Sequence, residues 1–407
     1  MITPIIIYAK NYKAYKEIEL ELSKINLFIG KNSAGKSALT RLVPLILKSL
    51  HVGGDNVLDF APLDIDIAAS YQDIVHGHKE YTKLKLGAGF DCDGTVVEFQ
   101  TELQFSTELN QLVVLNFECT HNDVRFYAEM DLEELSVNKN LRYFVDDEFM
   151  PIIFDGLIPK GNKIPPKYVN IFSFLERIKS FNYNLSYLGP FRSELKRTYT
   201  SKIVKNYDIG DRGQHAPYIF NDIENKSKGS LGIDIKKWMN PNFNGKYFSV
   251  RSFEQSFSIN CVSKDNESNI LDEGMGFAQV FPSVVNRTVR DLKGIKGIEI
   301  IEQPELHIHP AACGVVADLY LKATPLNIVL IETHSKEFVL RVRRRVAEGF
   351  KSVDVNIIYI DYDIDNKTAR LRPIKVDNKG AVNWWPKGIF EEDFDEVIAL
   401  GNAGVKK

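Results

Sequence analysis

Gly30-Lys31-Asn32-Ser33-Ala34-Gly35-Lys36-Ser37 is the stretch that decides the fold. It satisfies the pattern G-x-x-x-x-G-K-S/T, and its flanks have the required character. The apolar run Ile25-Asn26-Leu27-Phe28-Ile29 before it reads as a buried strand. Ser37-Ala38-Leu39-Thr40-Arg41-Leu42-Val43 after it reads as the start of a helix. A strand, loop and helix in that order aim backbone N–H groups and a helix N-terminus at phosphate oxygens. Gly30, Asn32, Ser33 and Gly35 then shape the loop, Lys36 reaches the β- and γ-phosphates, and the Ser37 hydroxyl holds Mg²⁺. The ligands expected are ATP and Mg²⁺.

Composition sets the bounds around this motif. The chain has 407 residues, 44% hydrophobic and 26% charged, enough for one large α/β core or two smaller ones. A net charge of −3 carries no overall footprint for nucleic acid and leaves room only for a local basic patch. Cys92, Cys119, Cys261 and Cys313 are widely spaced, without a C-x-x-C pair, which argues against a zinc site or a disulfide framework and fits a reducing cytosol. The first residues lack the character of a signal peptide, and no apolar run is long enough to span a bilayer. A soluble, cytoplasmic protein without membrane contact is expected.

Outward from the loop, Ile5–Tyr8 and Ile18–Leu22 read as short strands around the turn Asn11–Lys16. Pro44 should kink the loop's helix or end its first section. From Tyr81 to Asp131 the pattern alternates with a period near two, which reads as antiparallel strands with one wet face. Tyr168–Phe181 reads as helix, and Tyr199–Lys246 as mostly loop with a short helix near Trp238. Gly297–Glu302, Leu326–Glu332 and Val355–Ile360 read as buried strands, the last entering a hairpin. No sustained heptad pattern is present, so long coiled-coil arms are not expected.

Ile298-Glu299-Ile300-Ile301-Glu302-Gln303-Pro304-Glu305 has the form of a Walker B strand, an apolar run ending in acid. Glu302 at its tip is placed to bind Mg²⁺ through the ion's water shell. A further buried strand, Val329–Glu332, ends at Thr333-His334. Between these motifs and the loop, Gly274 and Gly276 open an apolar segment, and a glycine turn at a helix start is a second anion-binding device.

The order of loop, glycine turn, acid and strand-end histidine resembles the ABC-type ATPases of the SMC/RecF/OLD group. Asn32 in the loop and Pro304-Glu305-Leu306-His307-Ile308-His309-Pro310 carry the likeness further. The resemblance implies an α/β P-loop head, with a mixed central sheet and flanking helices, in two sequence pieces at 1–60 and 183–370. A β-rich and helical insertion would occupy 61–182, and a Trp-Pro segment at 371–407 would pack on the head. It also implies a head-to-tail homodimer, or a higher homo-oligomer, sandwiching two ATP molecules. Gly274 and Gly276 of one copy would cap the γ-phosphate held by the other, and His334 would be the switch histidine. A narrower likeness is to compact bacterial ATPases of the AAA15/AAA21 type, through Tyr187-Leu188-Gly189-Pro190-Phe191-Arg192 and Trp385-Pro386-Lys387-Gly388-Ile389-Phe390-Glu391. Proteins of that kind are often found in anti-phage defence, paired with a separate nuclease or toxic effector.

The pattern departs from the group at Glu302-Gln303, where aspartate and glutamate are usual. Glutamine orients a water but cannot take its proton as a carboxylate does. Either Glu305 supplies that carboxylate, or hydrolysis is slow and ATP chiefly holds the pair closed; slow hydrolysis is expected, with Gln303, Glu305 and His334 positioning the water.

His307 and His309 could suggest metal, but a contact role suits them better. Asp361 and Asp363 could suggest a Toprim-like nuclease, although Asp365-Asn366-Lys367 reads as a hairpin turn. Arg341, Arg343, Arg344 and Arg345 read as a solvated or salt-bridged helix face, and Gln72 is a weak Mg²⁺ contact. Arg192, Lys196 and Arg197 fit either ATP sensing or surface charge. A RecF- or SMC-like DNA-binding ATPase of repair or chromosome maintenance is the alternative function.

Overall fold

The computed structural model describes residues 2–390, apart from 54–55, 134, 136–140, 151, 162–163, 205, 227–228 and 323–326. The chain divides into two compact units. One takes Met1–Ser23, Ser33–Tyr183 and Ile360–Leu371, the other Lys24–Asn32, Asn184–Tyr359 and Arg372–Lys407. The division falls inside the phosphate-loop motif, between Asn32 and Ser33.

In the first unit, β1 (Ile2–Tyr12) and β2 (Tyr15–Glu21) form a hairpin whose turn is only Lys13-Ala14. Both strands are longer than the sequence pattern implies, because the aromatic residues at 12 and 15 face inward and pair rather than looping out. After β3 (Ile25–Gly30), which belongs to the second unit, α1 (Lys36–Lys48) runs on through Pro44 instead of ending there. A one-turn α2 (Tyr71–Ile74) precedes four long strands. These are β4 (Leu84–Cys92), β5 (Val96–Ser106), β6 (Gln111–His121) and β7 (Val124–Met130). With β8 (Tyr143–Val145) and β9 (Glu148–Met150) they complete an antiparallel sheet of order β2-β1-β4-β5-β6-β7-β8-β9. The expected alternation holds best in β5, where every second residue from Val97 to Leu103 is buried.

Phe90, Phe99, Phe117 and Phe126 lie on neighbouring strands with ring centroids 6.0–6.3 Å apart along the row. Each is fully buried, and a buried phenylalanine contributes about 1.5–3 kcal/mol. The ribbon β10 (Ile152–Phe154) and β11 (Pro159–Gly161) follows. Helix α3 (Val169–Ser180) lies where the sequence places it and covers the row, Phe172 meeting Phe126 edge-on at 5.1 Å.

The second unit begins with β12 (Ser186–Leu188) and the short β13 (Tyr199–Thr200). The stretch expected to be mostly loop holds two helices, α4 (Ala216–Lys226), which was not expected, and α5 (Ser230–Met239), the short helix expected near Trp238. Ala216, Ile219, Phe220 and Ile223 form one buried stripe on α4, and Pro217 sits in the first turn, where its missing N–H breaks no helical bond. Then come β14 (Tyr247–Ser252), β15 (Ser256–Val262), β16 (Glu267–Asn269) and α6 (Met275–Leu292). Next are β17 (Ile298–Glu302), α7 (Pro310–Leu321) and β18 (Ile328–Glu332). The chain continues through α8 (Lys336–Ala347), β19 (Val355–Asp363) and β20 (Thr368–Ile374), of which Ile360–Asp363 and Thr368–Leu371 count with the first unit. Leu326, expected to open β18, lies outside the described residues.

The main sheet has the order β12-β17-β18-β3-β19-β20, and its first four strands run parallel. Every residue of β3, β17 and β18 is buried, as parallel strands covered on both faces require. Trp384 donates its indole N–H to Pro373 O at 2.9 Å and meets Tyr359 edge-on, while Trp385 donates to Ile389 O at 3.0 Å. Both tryptophans pack against the core, and Glu391 lies outside the described residues. All four cysteines are free and buried.

Candidate functional site

Within the second unit, the carboxyl ends of four parallel strands collect the sequence motifs. Gly30-Lys31-Asn32 leaves β3, Gln303 leaves β17, Thr333-His334 leaves β18, and Gly189-Pro190-Phe191-Arg192 leaves β12. Ligands of open parallel sheets bind at that edge, because the loops and helix N-termini gather there.

Parallel register sets Glu302 directly beside Glu332. Both are buried, at 1% and 3% exposure, so two carboxylates share one strand edge. Glu332 was not singled out from sequence; its partner is defined only by strand register. The His334 ring stands at the same edge, Nε2 3.9 Å from Glu332 Oε1 and about one-third exposed. Gln303 follows Glu302 with φ 47°, and its N–H donates to Glu332 O at 2.8 Å. That left-handed residue turns the chain sharply off the strand.

Glu305 lies two residues further along. Its Oε1 accepts a hydrogen bond from His334 N at 2.6 Å, tying the Walker B loop to the loop after β18. Its Oε2 is shielded from solvent and has no hydrogen-bond partner among the described residues. Burial pushes this carboxyl above the usual glutamate range, against the opposing pull of the His334 N–H, and the Glu332 charge adds to the rise. Arg192 is buried close by, its Nη2 3.4 Å from Glu302 O and its Nε and Nη1 unpartnered among the described residues. Burial pulls its guanidinium down, while Tyr320, Glu305 and Glu302 hold it up. The choice between sensing and surface charge is thereby narrowed for Arg192, which is no surface residue.

Gly274 is the N-cap of α6, in extended backbone without a side-chain cap, and Gly276 is the second residue of the helix. A Cβ on Gly276 would stand 3.2 Å from His307 O, so the helix start fits closely under the turn that follows Gln303. The residues ahead of the glycines are anchored: Asp272 pairs with Arg197, and Glu273 with Lys246 at 2.7 Å. In the first unit, Ser33 and Gly35 take positive φ (61° and 107°), which leads into α1 at Lys36. Lys36 is buried, Ser37 is half-buried, and the first turn holds no acidic residue. A basic and hydroxyl-bearing helix start of this kind suits an anion.

Local contacts engage several of the other residues named from the sequence. His309 caps α7, its Nδ1 accepting from Ala311 N at 3.2 Å. Among the described residues no three His, Cys, Asp or Glu side chains form a metal cluster. Mg²⁺ needs few protein ligands and prefers oxygen, so the paired Glu302 and Glu332 carboxylates fit it better than they fit zinc. Asp363 is occupied by its hairpin, accepting from Asn366 N at 3.0 Å and pairing with Arg370 at 2.6 Å. Arg341 and Arg345 clasp Asp318, and Arg344 pairs with Glu348, so this helix face is salt-bridged. Gln72 is exposed on the one-turn α2 and its side chain is bonded to Glu80.

A P-loop leaving a parallel strand, next to an acid-tipped strand and a glycine-started helix, defines a P-loop ATPase with an α/β head. The chain belongs to the AAA ATPase domain family (AAA_15), which matches residues 1–339. Among solved structures, an SMC head bound to the C-winged helix domain of ScpA has a TM-score of 0.52 at 9% identity. That alignment covers 92% of this chain and 98% of the SMC head, and shows a shared fold. An SMC head with an extended coiled coil, bound to the C-terminal domain of ScpA from Pyrococcus furiosus, gives a TM-score of 0.49. It is 10% identical, with 92% of this chain and 97% of that one covered, and at that score adds no weight. No curated protein matches the chain. No described helix is long and apolar enough to cross a membrane.

Proposed function

We propose that this ATPase binds Mg·ATP between two copies arranged head to tail and hydrolyses it slowly. The observation that carries the reading is the strand edge where Glu302, Gln303, Glu332 and His334 stand together beside the exit of the P-loop strand. Lys36 and the loop around Gly30, Asn32, Ser33 and Gly35 hold the phosphates. Ser37 and Glu302 hold Mg²⁺, which when bound neutralises charge developing on the transferred phosphoryl group. Gln303 and His334 orient the water. Glu305, with its raised affinity for a proton and an unpartnered oxygen, accepts the water's proton, and because that oxygen is shielded from solvent the step is slow. Gly274 and Gly276 present the uncapped start of α6 to the phosphate held by the other copy. In this scheme residues 1–60 and 183–370 form the head, 61–182 the insertion, and 371–407 the packed terminal segment.

The biological role proposed is that of a sensor or scaffold in bacterial anti-phage defence, controlling a separately encoded nuclease or toxin. Its support is the family-like sequence at Tyr187–Arg192 and Trp385–Phe390, together with the engagement of Asp363 in its hairpin rather than in a nuclease site. Turnover and assembly of the purified protein with ATP test the first proposal. Co-purification of an effector from the native host, with ATP present, tests the second; recovery of DNA instead would favour the repair alternative.

A further inference from the structure

We infer that Tyr15 is a positioning residue for the phosphate-binding loop, acting through the Gly35–Lys36 peptide. This deepens the P-loop proposal and rests on it. All the groups concerned lie in the first unit.

Tyr15 opens β2 and is completely buried, and its hydroxyl donates to Gly35 O at 2.9 Å. Its ring lies so close that a Cβ on Gly35 would meet the ring and hydroxyl at 3.1–3.2 Å. Gly35 is therefore required twice, by its φ of 107° and by this contact. The same carbonyl accepts the first helical bond of α1, from Leu39 N at 3.2 Å. Two donors thus hold one oxygen.

A trans peptide is planar, so the carbonyl of Gly35 and the N–H of Lys36 point in opposite directions. Pinning the oxygen toward Tyr15 fixes that N–H along the opposite direction, at the start of α1. Without the hydroxyl, the carbonyl keeps the longer Leu39 bond but loses the shorter one, and the peptide turns more easily about a glycine, the residue least able to resist rotation. A rotated peptide would aim its oxygen, rather than its N–H, at a phosphate.

Tyr12 supplies an internal control. It is equally buried on the same hairpin, and its hydroxyl donates to Ala38 O at 3.1 Å. The N–H opposite that carbonyl is Leu39 N, already committed to Gly35 O inside the helix. Tyr12 therefore anchors the helix but aims nothing at a ligand.

The test compares Tyr15→Phe and Tyr12→Phe with the unaltered full-length chain, measuring ATP affinity by calorimetry and thermal midpoints without nucleotide. Both variants keep the ring and lose one hydroxyl. Tyr15→Phe is expected to bind ATP about 3- to 10-fold more weakly, while Tyr12→Phe matches the unaltered protein in affinity despite a similar fall in midpoint. Equal affinity in Tyr15→Phe, or equal losses in both variants, overturns the inference. Failure of the unaltered chain to bind ATP overturns the P-loop proposal itself, and this inference with it.

Discussion

The carboxylate of Glu305 accepts a 2.6 Å hydrogen bond from the main-chain N–H of His334, so two loops at the ends of adjacent parallel strands are held by one side chain. That bond uses Oε1, and Oε2 is buried with no hydrogen-bond partner among the described residues. Glu305→Gln keeps the shape and an oxygen acceptor but cannot take a proton. Its turnover is expected to fall by about 100-fold or more, with ATP affinity retained. Steady-state ATPase assays alongside calorimetry check this; loss in Gln303→Ala with full activity in Glu305→Gln would reverse the assignment.

The same carboxyl predicts a pH dependence. Its proton is held more tightly in the folded protein than in the unfolded chain, chiefly because burial disfavours the charge. The associated stability is present below the ordinary glutamate range and is lost as pH rises through the raised Glu305 value. For catalysis the sign is opposite in effect: only the deprotonated group accepts a proton. Turnover is therefore expected to drop on acidification at a pH above the ordinary glutamate range. This acid limb should disappear from the residual activity of Glu305→Gln in a pH–rate profile.

Gly274 caps α6 with nothing but backbone. A negative charge there, in Gly274→Glu, faces any phosphate brought to the helix start. Binding of ATP to the single chain is expected to survive, while ATP-dependent pairing is lost. Light scattering with and without ATP reads the outcome directly.

Phe220 is completely buried on α4 and packs against Phe281 of α6 at a centroid distance of 5.8 Å. Phe220→Ala is expected to cost about 3–5 kcal/mol in the second unit. Denaturant unfolding followed by fluorescence checks that figure.

These residues also mark what the sequence could reveal. The run from Ile25 to Ser37 was readable because an apolar strand, a glycine pattern and a helix start are all local signals. The stripe Ala216, Ile219, Phe220 and Ile223 was equally local, yet the surrounding polar residues concealed it. Glu332 acquires its place only through register with Glu302, and register depends on which strands pair. Arg192 is buried although arginine almost always lies at the surface, so its type argued against its position. The bond from Tyr15 to Gly35 joins a hairpin to a loop across an intervening strand, and no spacing rule anticipates it. Local chemistry was legible; convergence was not.

In the proposed function, the loop ending in Lys36-Ser37 holds a triphosphate. Titration calorimetry of ATP with Mg²⁺ against the full-length chain, Lys36→Ala and Ser37→Ala tests it most directly, with circular dichroism to verify folding. Saturable binding is expected for the unaltered chain, with affinity at least about tenfold lower in Lys36→Ala. In Ser37→Ala the loss is expected to depend on Mg²⁺. No heat of binding in the unaltered chain, or equal affinity in all three folded proteins, would overturn the assignment of this loop.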